Sequence, residues 1–315
     1  MNGEFRKKLP HNKNMTNQNL EIDLKELLQL FWREKFLLIG ITTIFAVGSV
    51  LFALSKPNLF KSEALLFPVS EDSASSGLAN SLGGIAALTG INMGGGNSNQ
   101  KIALETLRSR AFLGEFIEKR GILVELMALK EWDYKTNLIT LDPSIYDSSQ
   151  NVWVREVREG KQPKPSLWEA HKELNDMIEI STTKSSGSIL LSISSQSPFL
   201  AKQWLEWMIE DLNSWMKDKD ISEAKKNIHY LNDKLQSTQL SEMQTVFYQL
   251  IEEQTKKLML AEVQDEYVFK VIDPAVVPED KDSPNRAIIC VLGTFLGVVL
   301  SFIVGLFKIV ILRKE

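Results

Sequence analysis

Residues 287–307, AIICVLGTFLGVVLSFIVGLF, run for 21 positions without a charge. A helix rises about 1.5 Å per residue, so this stretch crosses about 30 Å, the thickness of a bilayer's hydrocarbon. Residues 36–54, FLLIGITTIFAVGSVLFAL, form a second such stretch. Eight residues follow the later one, too few for a further folded unit. The expectation is a loop, residues 55–286, pinned to a membrane at both ends and long enough for one domain with its own core.

Ala53-Leu54-Ser55 resembles a signal-peptide cleavage site. The apolar run is longer than a usual signal core, however, and 35 residues precede it, so it reads as an uncleaved span. Arg33 and Lys35 precede the first span, and Lys308, Arg313 and Lys314 follow the second. The inner flanks mix Lys56, Lys61, Lys281 and Arg286 with Glu279, Asp280 and Asp282. This modest bias puts both termini in the cytoplasm and the loop outside it, periplasmic in a Gram-negative cell. The expected division is a cytoplasmic segment 1–35, a span 36–54, a periplasmic domain 55–286, a span 287–307 and a cytoplasmic tail 308–315.

The totals exclude several classes. A net charge of −4 offers no electrostatic case for nucleic acid. Cys290, the single cysteine, leaves no intramolecular disulfide. His11, His171 and His229 are far apart, and HExxH and CxxC spacings are absent. No nucleophile elbow or Walker sequence is present, and no pair of carboxylates is singled out by spacing. The expectation is no enzyme, no cofactor and no metal.

Residues 1–20 are polar and Asn-rich and read as disordered. Asp23 and Glu26 suit a helix start, with Leu24, Leu27, Leu28 and Phe31 at helical spacing and Phe31 and Trp32 at headgroup level. Lys56-Pro57-Asn58 is a stop, and 59–67 reads as a strand. Residues 70–99 are rich in Gly, Ser and Asn around an apolar middle, 85–91. They read as a mobile loop; a phosphate-cradling loop is the alternative, without the lysine such loops use. A helix is expected over 101–120, with Ile102, Leu107, Leu113, Phe116 and Ile117 on one face and Gly121 as its stop. A short apolar segment follows at 122–129, and 131–165 read as irregular. Ser166-x-x-Glu169 is a capping box opening a helix to about Asp176. Strands at 177–182 and 188–194 flank Lys184-Ser185-Ser186-Gly187, a hairpin.

Ser197-Pro198 opens the longest helix. From Phe199 to Met216 it is apolar almost all round, with Leu200, Trp204, Leu205, Trp207, Met208, Leu212 and Trp215, which implies burial on every side. After residues 217–220, KDKD, one seam remains: Ile221, Ala224, Ile228, Leu231 and Leu235. A second seam, in a new phase, holds Met243, Val246, Phe247, Leu250, Gln254, Leu258 and Ala261. The break near 237–241 reads as a tight turn, giving a helical hairpin over 198–263 that leaves a base of 55–197 and 264–286. Residues 267–272 are a last strand for the base sheet, and Pro274, Pro278 and Pro284 return the chain to the membrane. The fold class is α+β: two transmembrane helices flanking an α/β base with a long projecting helical hairpin. A hairpin with one apolar seam needs neighbours, which favours a homo-oligomer.

Trp204, Trp207 and Trp215 read as core residues, with stacking on sugar rings as the alternative. The charge runs at 217–220 and 279–282 read as solvated faces. In the second span Gly293, Gly297, Ser301 and Gly305 recur every four residues, a small-residue groove that lets another helix approach closely. Its partner is open among residues 36–54, a neighbouring subunit and another membrane protein.

Together these stretches resemble the Wzz-type chain-length determinants, polysaccharide co-polymerases of Gram-negative inner membranes. Carrying the resemblance are IDLKELLQLFWREKFLLIG, SVLFALSKPNLFKSEALLFP, SGLANSLGGIAAL, ALETLRSRAFLGEFI, SPFLAKQWLEWMI and LAEVQDEYVFKVIDPAVVPEDKDSPNRAII, with Pro57, Pro274, Pro278 and Pro284 as motif positions. The resemblance implies rings of subunits that act beside an O-antigen polymerase and set the modal length of lipopolysaccharide chains, with no catalytic residues of their own. The partners it implies are further copies of the chain, the polymerase, membrane lipid and the growing polysaccharide. One branch of the wider family adds a cytoplasmic tyrosine kinase, for which the tail 308–315 leaves no room. A membrane sensor or adaptor of another envelope pathway is the alternative, and a periplasmic glycan-acting enzyme a further one.

Overall fold

A computed structural model describes residues 35–69, 95–183, 185–238 and 240–312. The helix expected after Asp23, the aromatic pair Phe31 and Trp32, and the Gly-rich segment 70–94 lie outside the described residues. The chain divides into two units, Met1–Ser55 with Asn285–Glu315, and Lys56–Pro284.

Helix α1 (Lys35–Ser55) holds the first apolar run. Strand β1 (Phe60–Pro68) follows, with Ser62, Ala64 and Leu66 buried, the period of two expected of a strand packed on one face. Two helices, α2 (Gly95–Leu107) and α3 (Arg110–Arg120), replace the single one expected over 101–120. The first begins inside the glycine-rich stretch. The break falls at Ser109, whose extended backbone and Oγ, accepting the Phe112 N–H at 3.2 Å, cap a new helix. Gly121 ends α3 at φ 66°, in the left-handed region where a side chain is strained.

Helix α4 (Leu123–Ala128) leads into the segment expected to be irregular. It holds two small antiparallel ribbons, β2 (Leu129–Trp132) with β3 (Ile139–Leu141), and β4 (Tyr146–Asp147) with β5 (Val152–Trp153). Strands this short give too few alternations for a pattern to register. Ser166 Oγ accepts the Glu169 N–H at 3.3 Å and opens α5 (Leu167–Met177). The return half of the capping box does not form. The Glu169 carboxylate instead accepts from Lys161 at 2.6 Å and from Arg155, which hold its pKa down to about 2.

The hairpin β6 (Ile178–Thr182) and β7 (Ile189–Ser195) completes most of the sheet. Ser197 Oγ accepts the Leu200 N–H, and Pro198 takes the first position of α6 (Pro198–Ser237), a helix of 40 residues. Helix α7 (Ser241–Val263) returns, and β8 (Phe269–Asp273) joins the sheet. The strand order is β6-β7-β1-β8, all antiparallel, with a bulge in β1 at Leu65/Leu66 beside β8. Leu59 donates its N–H to the Ser283 carbonyl at 2.8 Å, so the entry and exit of this unit lie side by side.

Ala64, Leu66, Ile189, Leu191 and Ile193 supply the sheet's side of the core. Phe112, Phe116 and Ile117 of α3, Leu174 of α5 and Trp204, Leu205, Met208 and Leu212 of α6 cover it. Lys61, Glu63 and Phe67 alternate to the other face, where Lys61 meets Glu179 at 2.9 Å across the strands.

Helix α8 (Arg286–Leu312) carries the second apolar run and packs along α1. Both helices are long and apolar enough to cross a membrane, and only 6% and 11% of their apolar stretches are buried. A core helix would be buried; outward apolar side chains such as Ile44, Val291 and Phe295 suit lipid. Arg286 Nε donates to the Ala53 carbonyl at 3.3 Å, capping the end of α1.

Candidate functional site

The hairpin is built on a 3-4 repeat. On α6 the inward positions are Ile221, Ala224, Ile228, Leu231 and Leu235; on α7 they are Gln244, Phe247, Ile251, Gln254, Leu258 and Ala261. Ala224 and Ala261 are fully buried, and small residues let the two helices approach closely. Leu250, assigned to the seam by its spacing, is 39% exposed, and Ile251 holds the inward position. Met243 and Val246 are likewise turned outward. Phe247 and Leu250 are four or fewer residues from both candidate stripes, so apolar character alone leaves the phase ambiguous by one residue.

The run at 217–220 is a latch as much as a solvated face. Lys217 Nζ donates to the Gln264 carbonyl at 2.9 Å and the Glu262 carbonyl at 3.4 Å, closing the C-terminus of α7. Tyr267 donates its hydroxyl to Asp220 at 2.6 Å, and Lys257 lies 3.6 Å from the same carboxylate. Asp218 and Lys219 remain exposed. Near the far end, Gln244 Nε2 donates to the Thr238 carbonyl at 2.8 Å.

Below the latch, α6 is not buried on every side: Phe199 is 45% exposed. Two polar residues that the apolar reading passed over are buried there. Asn213 Oδ1 accepts the Val268 and Phe269 N–H groups at 2.8 and 2.9 Å, and its Nδ2 donates to the Phe269 carbonyl at 3.0 Å. It therefore reproduces a strand partner and pins β8 to α6. Asp211 accepts from Lys119 at 2.7 Å and from Arg120 Nε at 2.8 Å. Burial works to raise its pKa, but the Arg120 and Lys119 hydrogen bonds outweigh it and hold the carboxyl below its ordinary value. The signal in the sequence was the interruption IEDLN inside an apolar run.

Phe112, Glu115, Phe116 and Lys119 of α3 face Asp211, Trp215 and Asp218 of α6 across a cleft of about 340 Å³. The three tryptophans separate here. Trp204 is wholly buried, Trp207 lies under the Arg120 guanidinium at 5.0 Å, and Trp215 lines the cleft with its ring perpendicular to Phe112.

In the apolar pair, Gly297, Ser301 and Gly305 are buried against α1. A Cβ at Gly293 would overlap Ser49, and one at Gly297 would come within 2.6 Å of Phe45 Cβ. Pro57 and Pro274 are exposed, and Pro278 and Pro284 half-buried. His171, half-buried on α5, and His229, exposed on α6, stand apart, and no group of three or more metal-ligating side chains exists among the described residues.

Residues 20–120 match the family model of Wzz, the chain length determinant protein, and residues 235–310 match GNVR, a G-rich domain described on tyrosine kinases. No curated protein sequence matches the chain. Among solved structures, a full-length bacterial polysaccharide co-polymerase is 15% identical, covers 93% of this chain and 99% of its own, and gives a TM-score of 0.37. A fragment of WzzB, polysaccharide co-polymerase from Salmonella Typhimurium, is 14% identical over 72% of this chain and 100% of its own, with a TM-score of 0.31. The two matched segments run from α1 through α3 and from the end of α6 into α8, so the likeness to the chain length determinant model covers the first third of the chain and the likeness to GNVR its last quarter.

Proposed function

We propose that the protein regulates the chain length of a surface polysaccharide, O-antigen of lipopolysaccharide or a related polymer, as a ring-forming co-polymerase of the bacterial inner membrane. The match of residues 20–120 to the chain length determinant family carries this reading. Both termini lie in the cytoplasm and the central unit in the periplasm, beside the polymerase, which makes the bonds; this chain makes none. Subunits meet along the outward apolar positions of the hairpin, Leu240, Met243, Val246 and Leu250, which recur about once per turn on an exposed face. The stripe Gly293, Gly297, Ser301 and Gly305 joins the two spans within one subunit, as the close approach of Gly293 to Ser49 supports.

Deleting the gene and separating the surface polysaccharide on a gel tests the reading. Loss of the modal band cluster with polymer still made is the expected result. Loss of all polymer would indicate an enzyme, and an unchanged ladder a role in another pathway. Gly293→Leu/Gly297→Leu is expected to part the two spans, read as loss of a cysteine cross-link between positions 46 and 294.

A further inference from the structure

The cleft between α3 and α6 runs between the edge-to-face contact of Phe112 with Trp215 and the ion pair of Lys119 with Asp211. The half-buried Trp215 from α6 is its apolar wall, with Phe112 and Phe116 of α3 packed beneath and each 1% exposed. The rim is polar and exposed: Glu115 from α3, Asp218 and Lys219 from α6. None of these three has a hydrogen bond or ion pair among the described residues. Asp211, at the inner end, has its carboxylate occupied by Lys119 and Arg120.

We propose that this cleft is a binding subsite for an uncharged pyranose ring of a glycan. Its size lies at the small end of the range for ligand sites, about 300–1,000 Å³, which suits one or two sugar rings. The open part of the Trp215 indole takes the C–H face of a sugar by dispersion. The ring's hydroxyls then point to the rim, where the Glu115 and Asp218 carboxylates accept and the Lys219 ammonium and the Ser214 hydroxyl donate. Charge selects against ionic ligands: Glu115, Asp211 and Asp218 are balanced by Lys119, Arg120 and Lys219. A polyanion or a cation would meet as much repulsion as attraction, while a polyhydroxylated neutral ring meets donors and acceptors together.

The choice of glycan as the polymer probed rests on the proposed function; the choice of a neutral sugar ring rests on the cleft. The test uses the full chain in lipid nanodiscs and saturation-transfer difference NMR. The probes are methyl glucopyranoside, galactopyranoside, rhamnopyranoside and 2-acetamido-glucopyranoside, and the polysaccharide freed by mild acid from the cells that make the protein. Saturation of sugar ring protons is expected for at least one probe. Glu115→Ala/Asp218→Ala changes only exposed side chains and is expected to weaken binding about tenfold, which is ~1.4 kcal/mol. Trp215→Leu is expected to abolish it, with the thermal melt reporting that the fold survives, and Trp168→Ala, exposed elsewhere, to leave it unchanged. No saturation of any probe, or saturation unaltered in both cleft variants, overturns the subsite. That outcome leaves the gel result of the deletion strain untouched; conversely, an unchanged ladder on deletion removes the chain-length reading while NMR still decides the cleft.

Discussion

The two halves of α6 are one unbroken helix under opposite conditions. From Pro198 to Met216 it lies in the core, with Trp204, Leu205, Met208 and Leu212 buried. From Lys217 to Ser237 it touches one partner, and Ala224 is the sole fully buried residue among those described on that stretch. In the lower half a buried polar residue is tolerated only with hydrogen-bond partners, as Asn213 and Asp211 have. In the upper half polar residues cost nothing on the wet side, and the seam alone decides whether the helix stays folded. The difference shows that helix continuity does not imply uniform stability: each half depends on what covers it.

Trp204→Ala should break the comparison at its strong end, costing about 3–5 kcal/mol as a large buried ring becomes a cavity. Urea denaturation followed by circular dichroism should show a much lower midpoint. Asn213→Leu should cost about 2–3 kcal/mol, because two backbone N–H groups and a carbonyl lose their partner in a buried site. Hydrogen exchange should then rise first at Val268 and Phe269. Acid should act on the base before the seam. Glu169 is held near 2, against an ordinary 4.5, by Lys161 and Arg155, so its contribution is complete above pH 4.5 and lost as pH falls toward 2. Asp211, depressed in the same direction, adds to that loss. Denaturation midpoints measured across this window should fall, and Glu169→Gln should flatten the fall.

Leu231→Ala should cost about 1 kcal/mol, since its side chain is only half-buried. Exchange protection should drop across the two arms while the lower half of α6 keeps its own. Val246→Ser should shift the midpoint of an isolated subunit by less than about 0.5 kcal/mol, being exposed. Sedimentation should show it reducing the assembled fraction, which a residue facing only solvent would not do.

Much of this arrangement is legible from residue order. Ser197-Pro198 marks the start of α6 because capping and the missing proline N–H act locally. The 3-4 spacing of Ile221, Ala224, Ile228, Leu231 and Leu235 announces a one-partner helix for the same reason. What escapes is decided at long range. The break at Ser109 competes with a continuous apolar face, and the side that wins depends on packing against α6. Leu250 and Ile251 are equally apolar, and only the position of α6 selects between them. Asn213 looks like an interruption until Val268 and Phe269 are brought beside it, more than 50 residues later in the chain. Trp215 differs from Trp204 not in its own neighbours along the helix but in the cleft it borders beside α3.

A rod without a joint is also a lever. The arm above the latch runs about 30 Å, so a tilt of roughly 5° at its root would carry the far end about 3 Å sideways. Trp215, Asp218 and Lys219 sit at that fulcrum on the cleft side. Small angular changes where α6 leaves the sheet are thereby magnified into displacements about the size of an atomic diameter at the turn between α6 and α7.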